Sequence, residues 1–169
     1  MGSYLNPGSK GFQERLNSEI YVDKTGLIEK TNAVLDTRQK FLCVSRPRRF
    51  GKSMAADMLA AYYERGEDAD LLFRSLKISK AESYRAHLNQ YDVIKVNIQE
   101  FLSMTGSMDE MLSMLKKYLV FDLMEHFDDV RFRDESNLIQ VMKDIYAKTK
   151  RAFVILIDEW DCLFREYQQ

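Results

Sequence analysis

A short basic segment combines the residue types that could hold a chain of phosphates. The segment Ser45–Ser53 has the sequence SRPRRFGKS, follows the apolar residues 41–44 and precedes the Ala-, Met- and Leu-rich residues 54–61. Backbone N–H groups at the start of a helix lack intrahelical partners and carry partial positive charge, so they attract anions. A strand, a tight loop and a helix in this order, with Gly-Lys-Ser at the junction, predict a phosphate-binding P-loop.

Each residue type in this loop has a chemical reason to be present. Lys52 supplies a positive charge for the β- and γ-phosphates, which also helps catalysis. Ser53 offers a hydroxyl oxygen to Mg²⁺, a hard cation that prefers oxygen ligands. Gly51 lets the backbone approach a phosphate without an intervening Cβ. The expected phosphate-binding amides belong to Arg49, Phe50, Gly51, Lys52, Ser53 and Met54.

The first position of the loop departs from the usual pattern. The motif G-x-x-x-x-G-K-[ST] has Gly where Arg46 stands here. Pro47 restricts Arg46 to extended conformations, so the turn is set by Arg-Pro instead of by Gly. Pro47 lacks an N–H but lies outside the expected donors, so we expect phosphate binding in a slightly altered loop. The alternative is a basic surface turn with solvated arginines.

A second chemically useful group follows an apolar run near the other end of the sequence. Residues 152–157 are apolar without a break, which is typical of a strand buried on both faces, and Asp158 and Glu159 follow directly. In open α/β sheets, ligands lie beyond the carboxyl ends of the strands. We therefore expect Asp158 to hold Mg²⁺ through water and Glu159 to polarise an attacking water as general base. The alternative is a solvated acidic turn. The nucleotide hypothesis requires the loop near residue 50 and this acidic pair to converge on one triphosphate.

Three motifs together resemble the bacterial AAA-ATPase-like family. They are Tyr21–Thr25 (YVDKT), the loop Ser45–Ser53, and Leu156–Asp161 (LIDEWD), and the resemblance extends from about Asn6 onwards. It implies a P-loop NTPase fold, ATP as ligand, the loop as Walker A and the acidic strand as Walker B. Arg46 is normal in this family, whereas Trp160 stands where many members have Tyr. In larger members this domain precedes a PD-(D/E)XK nuclease-like domain, so any link to nucleic acid would be indirect, through a domain absent here.

The motif Tyr21–Thr25 has two interpretations. In related P-loop ATPases the segment before the first strand often covers the adenine, which makes Tyr21 and Lys24 candidates for a base or ribose contact. Alternatively, Tyr21 packs on the edge of the sheet and Asp23 caps a helix.

The sequence pattern predicts an α/β fold, a three-layer αβα P-loop NTPase with a parallel sheet. Residues 1–24 would form an N-terminal lead-in, irregular over residues 1–20, and residues 25–169 the ATPase domain, truncated after the Walker B strand. Asp-Glu at the end of the acidic strand is typical of a division of P-loop ATPases in which another strand separates the two motif strands. That strand would lie beyond Gln169, so the sheet is expected to be incomplete unless the motif strands pair directly. Strands are predicted at 40–45, 91–98 and 152–157, and helices at 25–31, 52–64, 68–73, 80–90, 107–127 and 134–148.

Composition narrows the function classes further. The net charge of −1 gives no overall basic field for nucleic acid, and no apolar run approaches the ~20 residues of a membrane span. The polar N-terminus predicts no signal peptide. Cys43 and Cys162 match no metal spacing and are expected to be reduced core thiols of a cytoplasmic protein. His87 and His126 are expected to be structural or solvated.

The leading hypothesis is therefore Mg²⁺-dependent ATP binding. Hydrolysis needs a sensor residue and an arginine finger from elsewhere, so we expect turnover only in a full-length context, and whether this chain is itself an enzyme stays open. Self-association or a missing C-terminal domain would be the partners. The alternatives are a nucleotide-gated binding module without turnover and an interaction domain that no longer binds nucleotide.

Overall fold

The computed structural model describes residues 2–45 and 51–166. Over these residues the chain is a mixed α/β protein with nine α-helices and a two-stranded parallel sheet. It divides into two compact units, Gly8–Tyr91 on the one hand and Met1–Pro7 with Asp92–Gln169 on the other. No helix within the described ranges is both long enough and apolar enough to cross a bilayer.

The unit Gly8–Tyr91 is helical. A 3₁₀ turn, Lys77–Lys80, precedes the last of its helices, which are α1 Lys10–Leu16, α2 Gly26–Asn32, α3 Lys52–Tyr63, α4 Asp70–Phe73 and α5 Tyr84–His87. The residues of α3 are mostly strong helix formers, and its last six residues are all buried. α3 is thus the element around which this unit packs.

Two neighbouring helices are fixed to α3 by polar contacts. α1 lies against it where the Arg15 Nε donates to Asp57 Oδ2 at 3.2 Å. α2 is joined to it by a buried network, in which the Tyr63 hydroxyl donates to Asn32 Oδ1 at 2.7 Å and Asn32 Nδ2 donates to Tyr62 Oη at 3.1 Å. Because buried polar groups are costly without partners, this network specifies how α2 packs on α3.

The other unit contains the parallel sheet. Strand β1, Asp92–Asn97, pairs with β2, Phe153–Asp158, in a register that places Val93 beside Val154. Its helices are α6 Ile98–Ser103, α7 Met108–His126, α8 Leu138–Thr149 and α9 Cys162–Glu166. Ser107 caps α7 and Asn137 caps α8 through side-chain oxygens that accept first-turn N–H groups. The apolar faces of β1, α7 and α8 form one hydrophobic core.

A buried carboxylate fixes the N-terminal segment to this unit. Asp122 of α7 accepts hydrogen bonds from the backbone amides of Ser3, Tyr4 and Leu5, at 3.2, 2.7 and 3.0 Å. Leu5 also forms an antiparallel bridge with Ile94 of β1. The segment is therefore held on the sheet side of the core, and the charge of Asp122 is compensated by three N–H dipoles.

Most predicted elements are confirmed within a few residues, and α8 begins four residues later than expected because Asn137 caps it. The helix predicted over 80–90 is shorter, since only Tyr84–His87 is α-helical there. The irregular segment predicted over 1–20 is wrong in part, because it contains α1. Its Phe12 is buried and its Arg15 pairs with Asp57, so tertiary contacts stabilise a helix that seven residues alone would not form.

The strand predicted over 40–45 is wrong. Within the described residues this segment pairs with no strand, and Phe41 is 87% exposed. The expectation that Cys43 is a core thiol is also wrong, because Cys43 is exposed, whereas Cys162 is buried as expected. Since residues 41–45 form no strand there, the described residues also give no direct pairing of the two motif strands.

Candidate functional site

The described part of the predicted phosphate-binding loop lies at the beginning of α3. Gly51 is the N-cap residue, with φ 81° and ψ 28°, and Lys52, Ser53 and Met54 form the first turn. The first N–H groups of an α-helix have no intrahelical acceptor, and no side chain caps this helix within the described residues. Arg49 and Phe50, the other two expected phosphate-binding residues, lie outside the described residues.

Glycine at position 51 has a structural reason. The left-handed backbone conformation with φ 81° is one that residues with a Cβ rarely adopt. A Cβ built there would also lie 3.2 Å from Met54 Cε and 3.4 Å from Lys24 Nζ. The space above Gly51 is thus a narrow cradle, bordered by the Met54 methyl group and the Lys24 ammonium group, which a side chain at position 51 would fill.

The Lys24 ammonium group reaches this cradle from the motif Tyr21–Thr25. The backbone around it is anchored on both sides. Asp23 Oδ2 accepts the Lys77 N–H at 2.7 Å, and Thr25 Oγ1 accepts the Ile78 N–H at 3.1 Å. Asp23 Oδ1 further accepts the N–H and the hydroxyl of Thr25, at 2.9 and 2.6 Å. Position 24 is therefore held by its two neighbours.

Tyr21 has mainly packing contacts. Its ring meets Phe12 edge to face, with centroids 6.2 Å apart, and its hydroxyl oxygen is buried. Burial, together with the nearby Asp23 carboxylate, raises the pKa of Tyr21 to about 12. These contacts favour the structural interpretation of Tyr21 over an adenine contact.

The acidic pair lies where β2 ends. Asp158 is the last residue of the strand, opposite Asn97 of β1, and its Oδ1 accepts the Glu159 N–H at 2.9 Å. Glu159 has φ 54°, so the chain leaves the strand direction at this residue. The Glu159 carbonyl then accepts the Cys162 N–H at 3.1 Å, which leads the chain into α9. Both acidic side chains are partly buried at the carboxyl end of the strand.

The two residues predicted to hold Mg²⁺ each carry an oxygen group of a suitable kind. Ser53 offers a hydroxyl oxygen and Asp158 a carboxylate, both hard ligands. The parts of the chain that the structure describes contain no group of three or more His, Cys, Asp and Glu residues that could hold a metal ion. Mg²⁺ usually takes one or two protein ligands and fills its remaining positions with phosphate oxygens and water, and its binding here stays a prediction.

The predicted site residues fall into two sets. Gly51, Lys52, Ser53 and Met54 belong to the unit Gly8–Tyr91, whereas Asp158 and Glu159 belong to the unit that contains the sheet. The first set lies at the start of a helix and the second at the end of a strand, as the sequence predicts. Their convergence on one triphosphate stays a prediction. What the sequence did not indicate is that Lys24 lies beside Gly51.

Comparison with known proteins places these motifs in context. The model of the AAA-ATPase-like family, described as "Predicted AAA-ATPase", matches residues 8–168. An uncharacterized protein in the vnfD 5′ region of Azotobacter chroococcum mcd 1 is 26% identical over 146 residues, which cover 83% of this chain and 25% of that relative. The chain thus spans about a quarter of the length of this relative. No solved structure matches the chain.

Proposed function

Because this chain belongs to the AAA-ATPase-like family, we propose that it binds ATP together with Mg²⁺ through the loop that leads into α3. The observation that carries this proposal is the start of α3. There Gly51 adopts φ 81° and Lys52 and Ser53 occupy the first helical turn. The first turn thus combines N-terminal backbone amides with a lysine and a serine, and residues of these types suit a phosphate chain. We place this activity in the P-loop NTPase class and in the cytoplasm.

Each residue has a proposed role. The amides from Arg49 to Met54 bind the phosphates, and Lys52 places its charge on the β- and γ-phosphates. Ser53 holds the metal directly and Asp158 holds it through water. Bound Mg²⁺ would neutralise charge that develops on the phosphates. Glu159 orients and polarises a water molecule that attacks the γ-phosphorus, and its carboxylate takes up a proton from that water. The bond between the γ-phosphorus and the β–γ bridging oxygen breaks, and ADP leaves.

Turnover is proposed for a longer protein rather than for these residues alone. The relative from Azotobacter is about four times as long as the matched region, since that region covers 25% of it. Phosphoryl transfer usually needs an arginine finger and a sensor in addition to the loop and the acidic strand. We therefore expect the purified 169-residue chain to bind ATP and to hydrolyse it slowly or not at all.

Binding is tested by titrating the purified chain with a fluorescent ATP analogue in the presence and absence of Mg²⁺. Lys52→Ala should weaken binding about ten- to a hundredfold, the usual range for one lost charge-assisted hydrogen bond. Lys30→Ala, which removes an exposed lysine of α2, is the matched control and should bind as the wild type does. Wild-type protein that binds no analogue, or Lys52→Ala with unchanged affinity, would overturn the proposal.

Glu159→Gln separates an ATPase from a nucleotide-gated module. If Glu159 is the general base, this variant should retain ATP affinity and lose any turnover that depends on Lys52. If the protein is a module without turnover, wild type and Glu159→Gln should both match the phosphate release of Lys52→Ala. Because Glu and Gln have nearly the same shape, a loss of ATP binding in Glu159→Gln would contradict both roles.

A further inference from the structure

Lys24 brings a positive charge close to the start of α3. Its Nζ lies 3.4 Å from the position that a Cβ of Gly51 would occupy, and Gly51 opens α3. The start of a helix carries positive partial charge, so a cation there is unfavourable unless an anion lies between them. Lys52, the next residue, adds a second ammonium group to the same helix end.

The described residues offer Lys24 no acidic partner. The ion pairs within residues 2–45 and 51–166 join other side chains. The adjacent carboxylate of Asp23 is occupied by hydrogen bonds from Thr25 and from the Lys77 amide. Burial raises the pKa of Asp23, but these hydrogen bonds outweigh burial and hold this pKa below its usual value. Asp23 therefore acts as an anchor of the backbone.

Hydrogen bonds fix the backbone on both sides of Lys24. Thr25 is fully buried, and its hydroxyl connects Asp23 to the 3₁₀ turn Lys77–Lys80. Lys24 itself is exposed, so its charged end stays at the surface beside Gly51. Fixing the backbone on both sides of a lysine lowers the conformational freedom that its ammonium group would lose on binding.

We propose that Lys24 is a second lysine that contacts the β- or γ-phosphate, and that Asp23 and Thr25 position it above Gly51. This inference rests on the proposed function and deepens it. It replaces the expectation that Lys24 contacts the base or the ribose. In the motif Asp-Lys-Thr, the two outer residues then anchor the backbone, and the central lysine binds the ligand.

The test is calorimetric titration of the full chain with ATP, ADP and AMP in the presence of Mg²⁺. Lys24→Met removes the charge and keeps most of the side-chain length, and Lys24→Arg keeps the charge. Lys30→Met is the matched control, because Lys30 is also exposed and lies in the adjacent helix α2. Lys24→Met should weaken ATP binding about ten- to a hundredfold and AMP binding much less, because one charge-assisted phosphate contact is lost.

Each outcome decides the proposal. Lys24→Arg should restore most of the ATP affinity, and Lys30→Met should leave all three affinities unchanged. An equal loss for ATP, ADP and AMP would overturn a contact with the β- or γ-phosphate, because these nucleotides share only the α-phosphate, the ribose and the base. Unchanged affinities in Lys24→Met would overturn it outright while leaving the proposed function intact. Wild-type protein that binds none of the three nucleotides would overturn the proposed function and this inference with it.

For the positioning residue Asp23, the test is how the loss of affinity depends on the number of phosphates in the nucleotide. Asp23→Ala should lower the affinity for ATP more than for AMP, in the same order as Lys24→Met, because it loosens the backbone at position 24. An equal loss for all nucleotides, or none, would show that Asp23 has only a structural role.

Discussion

Backbone strain at the proposed general base gives a quantitative prediction. Glu159 has φ 54°, in the left-handed region, directly after the last residue of β2. The left-handed conformation raises the energy of a residue with a Cβ by about 1–2 kcal/mol, whereas Gly adopts it without this strain. Such strain persists where the surrounding structure enforces it, and it often occurs at functional sites. We predict that Glu159→Gly is more stable than Glu159→Ala.

The magnitude follows from comparing these two variants rather than either with the wild type. Both remove the carboxylate and every contact that it makes, and they differ only in the Cβ. Gly relieves about 1–2 kcal/mol of strain and loses about 0.5–1 kcal/mol through the greater freedom of the unfolded chain. The free energy of unfolding should therefore be higher for Gly by about 0.75 kcal/mol, between limits of about 0 and 1.5 kcal/mol, and the midpoint is a Tm difference of about 2–3 °C in a domain of this size.

The assay is urea unfolding followed by circular dichroism, with thermal unfolding in parallel. Lys150, the exposed residue after α8, has φ 56° and should show the same advantage of Gly over Ala. Lys117 is exposed within α7, where Gly should instead be about 1 kcal/mol less stable than Ala. The sign of the Gly–Ala difference should thus follow the backbone angle at each position.

The reasoning would be refuted if Gly gave no advantage at position 159 while giving one at position 150. If the prediction holds, the two variants should differ in stability but not in activity, because both lack the Glu159 carboxylate. That result would show that position 159 is strained for a residue with a Cβ, so that the carboxylate at the end of β2 comes with a cost in stability.

Three further predictions concern single side chains. Asp122→Ala should lower the free energy of unfolding by about 3 kcal/mol, because three backbone amides lose a charged acceptor, and Asp122→Asn should lose less; urea unfolding measures both. Tyr63→Phe should cost about 1–2 kcal/mol, since the buried Asn32 Oδ1 loses its donor, as the same assay would show. Asp23 has a lowered pKa, because hydrogen bonds to its charged form outweigh burial. Its stabilisation is complete above its usual pKa and is lost as the pH falls through the lower folded value, so the urea midpoint of Asp23→Asn should fall less steeply in acid than that of the wild type.

The elements that the sequence predicted well are those with a strong local signal. The long helix α7 has helical apolar spacing and a Ser107 cap, and α3 is rich in helix formers after Gly51. The start of α3 was predicted for the same reason, because Gly-Lys-Ser at a helix junction is a local pattern. Local chemistry of this kind needs no knowledge of the partner elements.

The features that the sequence did not predict depend on distant contacts. Helix α1 has only one buried residue, Phe12, and its ion pair with Asp57 joins residues 42 positions apart. The contact between Lys24 and Gly51 likewise requires the packing of the segment before α2 on the start of α3. No periodicity or spacing in the sequence encodes such contacts, so they become visible only in the folded chain.

The two apolar runs that precede the predicted motifs show why hydrophobicity alone did not predict which side chains are buried. Both 41–44 and 152–157 favour a strand, but a strand forms only where its backbone N–H and C=O groups meet those of a neighbour. Residues 153–158 meet β1, whereas residues 41–45 pair with no strand in the described ranges. Even in β2 the expected burial of both faces is wrong, since Ile155 and Ile157 are 52% and 54% exposed. An apolar run therefore indicates where a strand can form, while pairing decides whether it forms and packing decides which side chains it buries.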